Sequence, residues 1–192
     1  MFCQTRYIYF NAKTLRETNA FIVVETDLGI VNVSELVEDA LRINAIDYEQ
    51  QGIHVVRDFA EVPALISDRH KILQIFLSLL KNAQQACEAV AAGHRVVSVR
   101  IGMAGSGCIK IEVADNGVGI PSENLTRIFS HAFTTQENGR GFSLHSEALA
   151  AKELGGTLTA ASEGPGKGAT FVLELPVAGK FRAGDSPADK GR

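Results

Sequence analysis

Apolar positions recur at helical spacing in three stretches of the chain and cluster at strand length in five others. The first helical stretch follows Asn32. Glu35 stands three residues later, so the pair fits a reciprocal cap. Leu36, Val37, Ala40, Leu41 and Ile43 then predict a helix that stops near Gly52. Ile53–Phe59 has strand composition, and Pro63 interrupts the pattern after it. The second helix carries the strongest stripe, from Ile72, Ile75, Phe76, Leu79, Leu80, Ala83 and Ala86 to Val90. Ser67 or Asp68 caps its start, and the pattern predicts an end at Ala92-Gly93. Val96–Met103 and Cys108–Val113 are strand-like, and the Gly-Ser-Gly turn at 105–107 makes them a hairpin. Leu144–Leu154 is the third helix, closed by Gly155-Gly156. Thr157–Ala161 and Thr170–Leu175 are the last strands. Phe21–Val24 adds a short strand-like run in an N-terminal part that is otherwise hard to assign.

Strands and helices mixed in this order predict an α+β fold, with helices on one face of a mostly antiparallel sheet. Pro121–Gly141 fits neither period. A polar, turn-rich segment of that length inside a domain is functional or disordered. The tail after Val177 has little to bury and is expected to be disordered.

Bulk properties narrow the class. A chain of 192 residues with 45% hydrophobic and 21% charged residues is one ordinary globular domain. A net charge of −3 gives no electrostatic case for nucleic acid or an anionic membrane. The apolar run Ile72–Leu80, broken by Gln74 and Ser78, is too short to span a bilayer. No secretory signal pattern opens the chain. Cys3, Cys87 and Cys108 are scattered and lack metal-ligand spacing, which points to thiols in a reducing, cytoplasmic compartment.

Three segments carry candidate chemistry. Asp115-Asn116-Gly117-Val118-Gly119 follows a strand directly. It reads as a tight turn, since Asn-Gly is a favoured turn pair. It also reads as a ligand surface, since glycines let a backbone approach closely and a carboxylate selects a donor such as the amino group of adenine. Asn82 sits inside an apolar helix, where Asn has modest propensity. It is either a solvated polar position or an oxygen ligand completing the shell of a phosphate-bound Mg²⁺. Ser78, Gln85 and Ala86 share its face. Gly139-Arg140-Gly141-Phe142-Ser143-Leu144 leads into a helix, a place suited to anions. Neither a Rossmann nor a Walker A pattern is present.

The order and spacing of these segments resemble the ATP-binding domain shared by histidine kinases, gyrase-type topoisomerases, Hsp90 chaperones and MutL proteins. The likeness is closest to the catalytic domain of sensor histidine kinases. Leu79–Ala86 is similar to their asparagine box, Val113–Pro121 to the first glycine box, Ile128–Thr135 to the phenylalanine box, and Gly139–Leu144 to the second glycine box. The resemblance covers Val33 to Pro176 and implies a two-layer α/β sandwich of the Bergerat type.

Carried over by position, the resemblance implies an ATP site drawn from Asn82, Gln85, Ala86, Asp115, Gly117, Gly119, Ile120, Thr135, Gly139, Arg140, Gly141, Phe142, Ser143, Leu144 and Thr170. Asn82 would coordinate Mg²⁺, and catalysis would centre on it. Asp115 would bind the adenine amino group, with Thr170 beside it at the pocket floor. Residues 121–141 would form a lid over the triphosphate. Hydrolysing relatives carry a Glu one turn before the Mg²⁺ Asn. Here that residue is Ser78, which favours phosphoryl transfer over hydrolysis.

The resemblance further implies a phosphoacceptor His followed by an acidic residue. None of His54, His70, His94, His131 and His145 is so followed. The expectation is therefore a monomeric catalytic domain, residues 32–177, preceded by a remnant or linker at 1–31. It would act on a histidine of a separate dimerisation domain and serve a response regulator receiver domain. It would be cytoplasmic, free or as the cytoplasmic part of a membrane-bound sensor. The alternative is a nucleotide-binding regulatory module without transfer. Ser143, where the family has Gly, favours that alternative if positive φ is needed there.

Overall fold

A computed structural model describes residues 28–105, 107–130 and 143–177. The expected strand at 21–24 and the tail after Val177 lie outside them. The elements are β1 (Leu28–Val31), α1 (Val33–Gln50), β2 (Ile53–Phe59), β3 (Leu65–Asp68), α2 (Arg69–Ala86), β4 (Arg95–Ala104), β5 (Cys108–Asp115), α3 (Ser122–Leu125), α4 (Ser143–Glu153), β6 (Thr157–Ala161) and β7 (Ala169–Pro176). The main sheet has the order β2-β4-β5-β7-β6. β2 lies parallel to β4, and every other neighbouring pair is antiparallel. This is the expected α+β class with a mixed, mostly antiparallel sheet.

Strand alternation gives the sheet one dry face. Val97, Val99 and Ile101 of β4, Ile109, Ile111 and Val113 of β5, and Phe171, Leu173 and Leu175 of β7 are all buried. α2 covers this face with Ile72, Ile75, Phe76, Leu79 and Leu80, each fully buried. α1 and α4 flank α2. Tyr48 of α1 donates its hydroxyl to the Leu80 carbonyl at 2.8 Å, joining the two helices. The opposite face is polar. Arg100 pairs there with Asp58 and Glu112, and Lys110 with Glu112. Exposed pairs of this kind add little stability.

Asn32 caps α1, but the return bond from Glu35 goes to its side-chain amide and not to its backbone N–H as a capping box would have it. Its side-chain oxygen accepts from Ser34 and Glu35 N–H, while its amide donates to Glu35 at 3.2 Å. At α2 the choice between caps is resolved: Asp68 accepts from Lys71 N–H at 3.1 Å. Ser67 instead belongs to β3, which pairs antiparallel with β1. The linker expected at 1–31 therefore contains a strand of the domain at Leu28–Val31.

α2 ends at Ala86, short of the expected Ala92. A single 3₁₀ turn, Cys87–Ala89, comes next, and Val90 is extended. The guanidinium of Arg95 takes up the carbonyls of Glu88 and Val90, which a continuing helix would have paired internally, and also that of Gln51 at the end of α1.

The core predicts its own sensitivity. Phe76→Ala empties a fully buried position under the centre of the sheet. Unfolding in urea is expected to show a loss of about 3–5 kcal/mol.

Candidate functional site

β5 delivers Asp115 to the edge of the dry face, where the strand ends. The carboxylate is buried and accepts from Gly117 N–H at 2.8 Å, an Asx-type turn. Ala169 N–H of β7 donates to it as well. Burial pushes its pKa above 3.8, and these two backbone donors hold it down in part.

Asn116 turns the other way. Its side-chain oxygen accepts from Val96 N–H at 2.9 Å, and its amide donates to the His94 carbonyl at 2.6 Å. The side chain thus extends the β4–β5 pairing by one rung and releases the glycines from it. Cys87 lies beneath, its Sγ 3.7 Å from the same Asn116 oxygen. Burial raises the thiol pKa, so Cys87 is a packed thiol here.

The glycines answer to space. A Cβ at Gly117 would collide with the backbone of Ala86, whose carbonyl accepts from Val118 N–H at 3.0 Å. Gly119 has φ +71°, and a Cβ there would strike the Gly164 carbonyl. The β6–β7 loop closes over this turn. Gly166 N–H donates to Val118 O at 2.6 Å and Gly168 N–H to Gly117 O at 3.2 Å. Beyond the turn, Ile120 N–H donates to the Ser162 hydroxyl at 2.9 Å. The segment is therefore a tight turn whose glycines make room for the backbones of Ala86 and Gly164, with a buried carboxylate at its start.

Asn82 lies one helical turn before Ala86, on the helix that supports this surface. Its amide nitrogen is buried without a hydrogen-bond partner. An unpaired buried polar group calls for a ligand, water or ion. Among the described residues no cluster of three or more His, Cys, Asp or Glu stands ready to hold a metal. Leu144 of α4 packs against the core, as does Ile120. Ser143 is the first residue of α4. A serine accepts a helical backbone at that position. His145 Nδ1 lies 2.9 Å from the Phe129 carbonyl, tying the first turn of α4 to the segment before it.

The structure brings Ala86, Asp115, Gly117, Gly119 and Ile120 together and sets Asn82 and Gln85 on the adjoining helix. Thr135, Gly139, Arg140, Gly141 and Phe142 lie outside the described residues. Thr170 is not beside Asp115. The β5–β7 register sets Ala169 opposite Asp115 and Thr170 opposite Ala114. A one-residue step reverses the face, so the Thr170 side chain belongs to the outer, polar face. Ala169 supplies a backbone N–H, which no side-chain motif could announce. Ser162 is nearly as silent, its one signal being a serine two residues before glycine.

Residues 67–179 match the family described as histidine kinase-, DNA gyrase B- and HSP90-like ATPases. The sensor histidine kinase ZraS of Klebsiella oxytoca is 33% identical over 153 residues, 78% of this chain and 32% of that protein. The structure of full-length ShkA in complex with AMPPNP aligns with a TM-score of 0.71 and 25% identity, over 81% of this chain and 32% of that one. The nucleotide-free catalytic domain of the histidine kinase ThkA shares the fold, with a TM-score of 0.69 and 22% identity over 78% of this chain and 97% of that one. The chain thus spans about a third of the length of the curated relative. It belongs to the histidine kinase-, DNA gyrase B- and HSP90-like ATPase family.

Proposed function

We propose that this domain binds ATP with Mg²⁺ and donates the γ-phosphoryl group to a histidine on a dimerisation domain, in a sensor kinase that serves a response regulator. The observation that carries the reading is the buried carboxylate of Asp115 at the start of the Gly117–Gly119 turn, with the buried, unpaired amide of Asn82 on the adjoining helix. Such a carboxylate selects a neutral donor, and the 6-amino group of adenine is one. That hydrogen bond would offset part of the cost of burying the charge.

The phosphates would extend from there toward Asn82. Its orphaned amide fits a site completed by ligand, whether the nitrogen donates to a phosphate oxygen or the oxygen turns to the cation. When bound, Mg²⁺ would neutralise charge on the phosphates, and Asn82 is the residue that would contribute a protein oxygen. Residues 139–142 and the start of α4 are proposed for the phosphates. In the transfer, the bond between the γ-phosphorus and its bridging oxygen breaks, a P–N bond to imidazole forms, and ADP leaves. Ser78 occupies the position one turn before Asn82. A serine hydroxyl is no general base for water at neutral pH, which supports transfer over hydrolysis. A cytoplasmic location follows from the need for ATP. No helix of the described residues is long and apolar enough to cross a membrane.

The test is transfer itself. With radiolabelled ATP and Mg²⁺, a cognate dimerisation domain should acquire acid-labile label. Nucleotide binding with no label on a cognate acceptor would leave only a binding module.

Two variants locate the ends of the site. Asp115→Ala is expected to weaken ATP binding about 10- to 100-fold, the worth of a hydrogen bond to a charged group. Calorimetry that finds unchanged affinity places adenine elsewhere. The pH dependence has a definite sign. Only the ionised carboxylate accepts, and its pKa is raised. Affinity should therefore fall with falling pH from above the ordinary aspartate range, and this fall should be absent in Asp115→Ala. In the nucleotide-free protein the raised pKa means that the folded state holds this proton more tightly than the unfolded chain does. The stability this group contributes is full below 3.8 and is lost as pH rises through its folded value. Asn82→Ala should lower ATP affinity with Mg²⁺ present but leave it unchanged in a chelator. Equal losses in both conditions would mean that Asn82 acts without the cation.

A further inference from the structure

We propose that Ser162 is a positioning residue for the adenine end of the site, an inference that rests on the ATP reading above. A serine hydroxyl can donate once and accept twice. Here all three capacities are used. Ser162 Oγ accepts from Ile120 N–H at 2.9 Å and from Gly164 N–H at 3.2 Å, and it donates to the Gly168 carbonyl at 2.6 Å.

These partners bracket the glycine turn. Ile120 is the residue after Gly119, so its N–H fixes the exit of the turn. Gly168 precedes Ala169, whose N–H holds Asp115, and Gly168 N–H itself donates to Gly117 O. Gly164 is the residue whose carbonyl leaves no room for a Cβ at Gly119. One hydroxyl therefore ties the exit of the turn, the backbone that faces Gly119 and the strand start that orients the Asp115 carboxylate. Ser162 touches no expected ligand atom and acts through these three backbone groups.

Removing the hydroxyl leaves Ile120 N–H and Gly168 O without this partner and loosens the loop against the turn. The consequence falls on the base and not on the phosphates. Ser162→Ala should weaken adenosine, ADP and ATP by the same factor, about tenfold. In the transfer assay KM for ATP should rise by that factor while kcat at saturation is unchanged. Ser162→Thr, which keeps the hydroxyl, should bind as the wild type does.

Calorimetry with the three ligands decides. Wild-type affinity in Ser162→Ala, a loss confined to ATP, or equal losses in the Ala and Thr variants would each overturn the proposal. Should Ser162→Ala not fold, hydrogen exchange at the Ile120 amide of the wild type replaces it. Slow exchange supports the bond to Ser162, and exchange at the rate of an open loop refutes it. The wild type is measured first. A wild type that binds no adenine nucleotide overturns the functional reading, whereas a binding wild type with an unaffected Ser162→Ala overturns this inference alone.

Discussion

Three backbone contacts with no room for a Cβ hold the site together: Gly117 against Ala86, Gly119 against Gly164, and Gly168 against Asp115. Each brings two main chains to a separation that an alanine would prevent. The turn after β5 is thereby pressed between the C-terminal end of α2 and the β6–β7 loop. The glycines lose more conformational entropy on ordering than other residues would. Hydrogen bonds from Val118, Gly166 and Gly168 N–H offset that cost locally. The rest of the arrangement follows from this stack. α2 must stop at Ala86 because its last carbonyl is committed to Val118, and the sheet must run antiparallel through β5 and β7 to bring the two glycine-rich segments together.

The same stack solves an electrostatic problem. A buried carboxylate is costly, and Asp115 shows that cost in its raised pKa. Two backbone N–H groups keep it oriented and partly compensated. They do not satisfy every lone pair of the group. On the ATP reading, the adenine amino group would take up remaining acceptor capacity of this carboxylate. Asn82 presents the complementary situation one helical turn below Ala86, a buried donor without an acceptor. Asp115 and Asn82 stand on elements whose buried faces, with Phe76, Leu79 and Val113, form the core.

How much of this the sequence shows depends on range. The α2 stripe is legible because a 3.6-residue period over eighteen residues has few alternatives. The cap at Asn32 is legible because it is closed by residues within one turn. β1 and β3 are not. Each has four residues, and Ile30 and Ile66, paired across the two strands, are exposed, so no alternation marks a buried face. The sequence pattern overruns the end of α2 because Val90 continues the stripe, while the carbonyls of Glu88 and Val90 are taken by Arg95, a partner from the next strand. At the site, Asp115, the turn glycines and Asn82 are legible as residue types in an order. The neighbour of Asp115 is not, because β-register is a long-range quantity and a shift of one residue exchanges Ala169 for Thr170.

That exchange also bears on specificity. With Ala169 opposite, no hydroxyl from β7 shares the carboxylate on the dry face, and among the described groups Asp115 is held by backbone donors alone. A carboxylate oriented in this way has no donor to offer. A base that presents an amino group at its sixth position is accepted, and one that presents a carbonyl there sets two acceptors against each other in a buried site. Such a mismatch strands polar groups without partners, and that penalty is far steeper than any misfit of apolar shape. On the ATP reading, adenine over guanine is therefore decided by one side chain whose orientation is enforced by main chain, and the β6–β7 loop that enforces it contributes to selectivity through its backbone.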